Sequence, residues 1–202
     1  MIYVDYFISI WLKFFFLLTP FFAVTVFLVM TQDMTIAKRR FTALKTTGAM
    51  IIICLLLYYF GNIIFQIFGI TLDAFRIGAG SILFLTSTGL VMGNSNKTKF
   101  EVDGESDISV VPMAIPFIVG PGTIGALLVM GAETTVTWKY IVGSSALVLA
   151  IAVTGLLLYI AVFIEKLIGK QGLNVMSKIS GLILAALAAQ IIFTGIKSFL
   201  NL

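Results

Sequence analysis

The chain carries six apolar stretches, each near the length that crosses a bilayer, with only short polar runs between them. A membrane-spanning helix needs about 20 predominantly apolar residues. The stretches cover residues 7–31, 42–66, 75–93, 110–131, 138–163 and 176–199, the third being the shortest. Hydrophobic residues make up 60% of the chain and charged ones 11%, more apolar surface than a soluble domain of this size can hide. The sequence therefore predicts one all-α integral membrane domain over residues 1–202, with six transmembrane helices and no polar block long enough for a separate catalytic domain. The first stretch is expected to remain a membrane helix. No Lys or Arg precedes it, Asp5 is acidic, it is too long for a signal peptide's apolar region, and no small-x-small site closes it.

Two of these helices are expected to be broken. Thr19-Pro20-Phe21 lies inside the first stretch and Gly120-Pro121-Gly122-Thr123 inside the fourth. Proline removes a backbone donor and clashes with the preceding turn. It suits the first position of a helix, where the missing N–H is no loss. Pro20 and Pro121 are each read as starting a half-helix, with Thr19 as an N-cap whose hydroxyl takes an orphan N–H and Gly120 before the second start. Glycine at 120 and 122 permits close backbone approach and the φ values a break needs. The partial positive ends of both half-helices then lie near the bilayer midplane, where they favour anionic groups.

The halves look duplicated. Pro20 matches Pro121 at an offset of 101, as Leu55-Leu56-Leu57-Tyr58 matches Leu156-Leu157-Leu158-Tyr159, and Arg76-Ile77 matches Lys178-Ile179 at 102. Three spans per half is an odd number, so the halves run in opposite senses. This predicts two inverted three-helix repeats, 1–93 and 110–202, with broken helices 1 and 4, joined by a polar linker at 94–109. Lys and Arg concentrate in alternate connections. Lys38, Arg39, Arg40, Lys45, Lys97, Lys99, Lys166, Lys170 and Lys178 fall on one side; Lys13, Arg76, Lys139 and Lys197 fall on the other. Positive charge marks the cytoplasmic side, so both termini are expected outside and the linker inside. The net charge of +4 reflects this orientation and is not read as a nucleic-acid footprint.

Few residues offer chemistry. Histidine is absent and Cys54 is the single cysteine, which argues against a zinc or haem site, and no cofactor is expected. No carboxylate falls at mid-span as a proton relay would require, and no nucleophile–base pair is placed deep in neighbouring spans, which argues against an intramembrane enzyme. Gln190, about halfway through the sixth span, is the polar residue most suited to reach a substrate, although a buried amide also serves as interhelical glue. Gly78-Ala79-Gly80-Ser81 and Ser180-Gly181 read as close helix packing.

At these residues the chain resembles the MarC family of integral membrane proteins, which includes small neutral amino acid transporters. The resemblance covers essentially the whole chain. Its most specific part is Pro116-Phe-Ile-Val-Gly120-Pro121-Gly122-Thr123, supported by Arg76-Ile77, by 179–184, by Gln190 and by Gly195. Where the family usually has Asn-Pro in the first half, this chain has Thr19-Pro20, which removes an amide. The resemblance implies six spans and transport of glycine- or alanine-like substrates.

Three functions compete. One is secondary transport of a small zwitterion, its carboxylate at the half-helix ends, with sodium or a proton as a coupling ion. The second is an exporter or channel for another small metabolite or ion. The third is a partner subunit that uses its helices for assembly alone, and homo-oligomers are open to all three. The paired mid-membrane breaks favour transport, since a scaffold has no need of them. The expected substrate contacts are Thr19, Pro20, Phe21, Gly120, Pro121, Gly122, Thr123 and Gln190.

Overall fold

A computed structural model describes residues 2–93 and 109–200 of the chain. The expected linker therefore lies, but for Ser109, outside the described residues. The described residues fold into seven α-helices and one irregular helical segment, in the order α1 (Ile2–Leu17), α2 (Pro20–Met30), α3 (Ile36–Phe68), α4 (Leu72–Met92), the segment Ser109–Ile118, α5 (Pro121–Ala132), α6 (Thr137–Tyr159) and α7 (Ala161–Phe199). Five stretches are long and apolar enough to cross a membrane: Val4–Met30, Ile36–Gly61, Leu72–Met92, Thr137–Tyr159 and Ala161–Phe199. The stretch expected to be the fourth span is instead divided between Ser109–Ile118 and the 12 residues of α5.

The proline rule accounts for these divisions. A residue before proline is kept out of the right-handed helical region. Val111 (φ −123, ψ 124) precedes Pro112 and Ile115 (φ −122, ψ 128) precedes Pro116, and both are extended. Gly120, before Pro121, is extended too, at φ −79 and ψ 174. Any residue adopts those angles, so glycine is not needed there for its conformational freedom, contrary to the expectation from sequence. Thr19, before Pro20, takes the left-handed region at φ 45 and ψ 57. A branched side chain is strained there. Thr19 holds the N-cap position, but its hydroxyl makes no cap bond, which corrects the capping expectation. The amide of Thr19 instead closes α1 on the Phe16 carbonyl at 3.0 Å, and its carbonyl accepts the Ala23 amide at 2.9 Å. Helices α3 and α4 do have hydroxyl caps, Thr35 on the Lys38 amide and Thr71 on the Ala74 amide, each at 3.3 Å. Gly169 (φ 69, ψ 171) bends α7 after its first two turns, in a region that only glycine enters readily.

Apolar side chains cover the outside as well as the core. Ile52, Leu56 and Ile63 of α3 and Ile179, Leu182 and Phe193 of α7 are exposed, as a lipid-facing surface requires. Inside, Phe14, Phe27, Met50, Tyr58, Met113, Leu127, Leu147 and Ile151 are fully buried in one cluster, with Cys54 among them. The Tyr58 ring meets Phe14 edge-on at 5.8 Å, and its hydroxyl pairs with Thr134 at 3.2 Å. The Thr46 hydroxyl donates to the Ser109 carbonyl at 3.0 Å and ties α3 to the start of the irregular segment.

Helix α4 packs along α7, and α3 along α6. Helix α3 meets both Ser109–Ile118 and α5, as α6 meets both α1 and α2; α4 packs on α5 as α7 packs on α2. Exchanging the first half for the second leaves these pairings unchanged. Small residues permit the contacts. A Cβ on Gly80 would lie 2.7 Å from Ile192, one on Gly122 would lie 2.8 Å from the Leu83 Cα, and one on Gly181 would lie 3.0 Å from the Leu90 side chain. Gly78, expected in this role, has no atom within 4 Å of where its Cβ would be.

Candidate functional site

The two broken helices meet at one place. Helices α2 and α5 both begin at a proline, so their next amides, Phe21 and Phe22 in one and Gly122 and Thr123 in the other, have no intrahelical acceptor. The amides of Ala23 and Ile124 are the first to close a turn, on Thr19 and Gly120 respectively, each at 2.9 Å. The preceding helical ends leave carbonyls without their usual donors, because a continuous helix would have paired Leu17 with residue 21 and Ile118 with residue 122. Both carbonyls turn to one side chain: the Thr123 hydroxyl lies 3.3 Å from the Leu17 oxygen and 3.5 Å from the Ile118 oxygen. Leu17 and Ile118 are themselves related by the 101-residue offset. Leu17, Ile118 and Thr123 are all buried.

This knot separates two cavities. One, of about 160 Å3, is lined by Thr19, Phe22, Thr86, Leu90, Phe117, Ile118, Gly120, Pro121, Gly122, Thr123 and Leu184. The other, of about 400 Å3, is bounded by Tyr6, Ser9, Lys13, Leu17, Leu83, Glu133, Lys139, Gln190 and Thr194, among others. Along α1 and α2 the lining passes from the larger cavity at Leu17 to the smaller at Thr19. Along α5 it passes from Thr123 in the smaller cavity to Ala126 in the larger, and along α7 from Leu184 to Leu187. The α1–α2 stretch, α4 (from Leu83 to Thr86), α5 and α7 thus cross from one cavity to the other at the level of the breaks. A third hollow, of about 390 Å3, continues on the smaller cavity's side among Thr25, Leu28, Gln32, Arg39, Lys170 and Asn174.

The structure brings five of the eight expected contacts together: Thr19, Gly120, Pro121, Gly122 and Thr123 share the smaller cavity. Pro20 is buried at the start of α2 and is not part of that lining. The Phe21 ring lies edge-on to Phe15 at 6.3 Å, and Phe22 lines the cavity in its place. Gln190 lies on the larger cavity, across the knot from the others. Three contributors were not singled out from sequence. Leu17 and Ile118 act through backbone oxygens, which no side-chain search finds, although the 101-residue offset applied to the prolines would have paired them. Phe22 occupies the position of Thr123 under the same offset.

At the far end of the larger cavity, the Arg76 guanidinium donates to Glu133 Oε1 at 3.0 and 2.8 Å and also to Asp73. The Ser198 hydroxyl donates to the second Asp73 oxygen at 2.9 Å. This cluster ties α4 to the C-terminal ends of α5 and α7. Lys139 lies over the rings of Tyr6 and Trp138, 5.9 and 5.8 Å from their centres.

Comparison with known proteins bears on the whole chain. It is 34% identical over 97% of its length to the UPF0056 membrane protein MJ1677 of Methanocaldococcus jannaschii, covering 98% of that protein. It is 32% identical to the UPF0056 membrane protein YhcE of Escherichia coli, over 97% of this chain and 92% of that one. The UPF0056 membrane protein YvbG of Bacillus subtilis is 29% identical over 96% and 95% of the two chains. No solved structure matches. Residues 4–200 match the family described as MarC family integral membrane protein, and the chain belongs to that family.

Proposed function

We propose that the protein is a secondary transporter of a small zwitterion of the glycine and alanine class. It is built as two inverted three-helix repeats, 1–93 and 110–202, with both termini outside the cell membrane. One observation carries the reading: the two proline-started helices open at a single buried point between two cavities. A transporter requires a site reachable from either side in turn, and paired broken helices near mid-membrane are the form such sites take. The helix pairings that survive exchange of the halves support the repeat.

The chemistry follows from the ends. The unpaired amides of Phe21, Phe22, Gly122 and Thr123, with the positive ends of α2 and α5 behind them, suit a carboxylate without any buried arginine. Two such ends contribute roughly 0.3–2 kcal/mol each, the upper figure where the group is partly buried. Size agrees with a small solute. A cavity of roughly 150 Å3 accommodates benzene, six heavy atoms, as alanine has, and the cavity at the breaks is about 160 Å3. Thr19 lines this cavity beside the two helix starts, which makes residue 19 a determinant of substrate choice. The test is counterflow of labelled amino acids into proteoliposomes, with glycine and alanine expected to be taken up and competed by one another. Failure of every small neutral amino acid to exchange, in protein that is monodisperse and correctly inserted, would refute the reading.

A further inference from the structure

The knot between the cavities holds more acceptor oxygen than it has protons to satisfy. The Thr123 hydroxyl has one hydrogen and faces two carbonyls. Its distances to them, 3.3 and 3.5 Å, are long for a hydroxyl donor, whose usual range is roughly 2.5–3.0 Å. Hydroxyls that bond back to their own helix reach their carbonyls within that range, Thr47 at 2.8 Å, Thr154 at 2.9 Å and Ser177 at 2.9 Å, and those that reach another element stand at 3.0 Å for Thr46 and 3.1 Å for Tyr140. The spacing at Thr123 is therefore a property of that place.

It is the spacing of oxygens around a metal ion. An ion with oxygen ligands at roughly 2.3–2.6 Å, as calcium has, holds neighbouring ligands about 3.3–3.7 Å apart at right angles, and both separations at Thr123 fall inside this interval. Sodium is close to calcium in radius. Magnesium, with ligands at roughly 2.0–2.1 Å, would bring them to about 2.8–3.0 Å. An ammonium group spreads its acceptors tetrahedrally; with bonds of roughly 2.7–2.9 Å they stand about 4.4–4.7 Å apart. The oxygens at Thr123 are too close for an ammonium and too far apart for magnesium. A divalent ion also requires carboxylates, and among the described residues no three His, Cys, Asp or Glu side chains gather to hold a metal. The donors at the knot are neutral, which suits a single charge. The Leu17 carbonyl ends α1, where the partial charge is negative, the Ile118 carbonyl ends the irregular segment, and unwound carbonyls of this kind coordinate sodium in transporters built from broken helices.

We propose that the carbonyls of Leu17 and Ile118 and the hydroxyl of Thr123 form a sodium site, completed from the adjoining cavity by water or by the substrate's carboxylate; the last ligand alone rests on the transport reading. Sodium then neutralises the carboxylate held by the α2 and α5 amides, and its arrival pulls the ends of α1 and Ser109–Ile118 together across the knot.

The test is saturable binding of radioactive sodium to the purified full-length protein in detergent. Wild type and Thr123→Ser are expected to bind it, with displacement by sodium chloride and none by potassium or choline chloride. Thr123→Val, which keeps the shape and loses the oxygen, is expected to bind at least tenfold more weakly while remaining monodisperse. Wild-type affinity in Thr123→Val, or no saturable binding in wild type, overturns the site. Hydrogen exchange of wild type needs no variant: sodium, compared with choline, is expected to slow exchange at 17–24 and 118–124, and protection confined to other segments overturns the site. Glycine counterflow of equal affinity with and without sodium overturns the substrate carboxylate as the last ligand and leaves the transport reading standing. Sodium binding in a protein that moves no amino acid leaves the site standing and overturns the transport reading.

Discussion

Gly122 and Gly78 should respond in opposite senses to the same small change. In Gly122→Ala the new methyl lies 2.8 Å from the Leu83 Cα, 3.0 Å from its Cδ1 and 3.2 Å from its amide nitrogen. Carbon atoms are comfortable at about 3.5–4.0 Å, so the shortfall against the Cα is about 0.7–1.2 Å. The obstructing atom is backbone of α4, which cannot rotate away, so α4 and α5 must separate at the level of the breaks. Overpacking of this kind costs about 1–3 kcal/mol, and the preference of helices for alanine returns about 0.5–1 kcal/mol at most. With backbone as the obstruction the overpacking cost falls in the upper half of its range, and we expect a net loss of about 1–2.5 kcal/mol. In Gly78→Ala the methyl meets nothing within 4 Å, so the propensity gain of about 0.5–1 kcal/mol stands alone. The measurement is reversible unfolding in mixed micelles on titration with dodecyl sulfate, followed by the fluorescence of Trp11 and Trp138. The two variants should fall on either side of wild type, about 1.5–3.5 kcal/mol apart. A Gly122→Ala as stable as wild type, or a Gly78→Ala less stable than Gly122→Ala, would show that the helix contact is wrongly described.

The remaining predictions concern orientation and the polar ties. With single cysteines placed at exposed positions, Thr135→Cys should react with an impermeant thiol reagent added outside intact cells and Asp33→Cys should not, while buried Cys54 stays silent in both; the converse pattern would invert the topology. Asp73→Asn should lose about 1–3 kcal/mol, since Arg76 and Ser198 both bond that carboxylate. Glu133→Gln should lose less than about 1 kcal/mol, because its side chain is 42% exposed; equal losses in the micelle titration would contradict the burial order. Tyr58→Phe should cost about 0.5–1.5 kcal/mol through its buried bond to Thr134, and Tyr59→Phe less, its hydroxyl being paired with Ser144 on the exposed face.

What the sequence determined by itself is local. Twenty-residue apolar runs declare a membrane protein because hydrocarbon leaves a polypeptide few options, and this needs no knowledge of neighbours. Proline acts on the residue before it, so the breaks at Thr19 and Gly120 were legible from the sequence, although the sign of φ at Thr19 was not; those at Val111 and Ile115 obey the same rule and were not foreseen. The offset of 101 residues announced the partnership of the two breaks. Tertiary structure alone decided which residues share a cavity. The helices are apolar on every side, so periodicity gives no rotation about the helix axis, and Phe22 rather than Phe21 faces the smaller cavity. Depth along a crossing helix is equally invisible, which is why Gln190 looks central in its span and yet belongs with Lys13 and Glu133 beyond the knot. Glycine packing depends on what lies opposite; Gly80 meets Ile192 where Gly78, two residues away, meets nothing. The oxygens of Leu17 and Ile118 are backbone atoms shared by every residue, and only the meeting of two helix ends around one hydroxyl makes them a site.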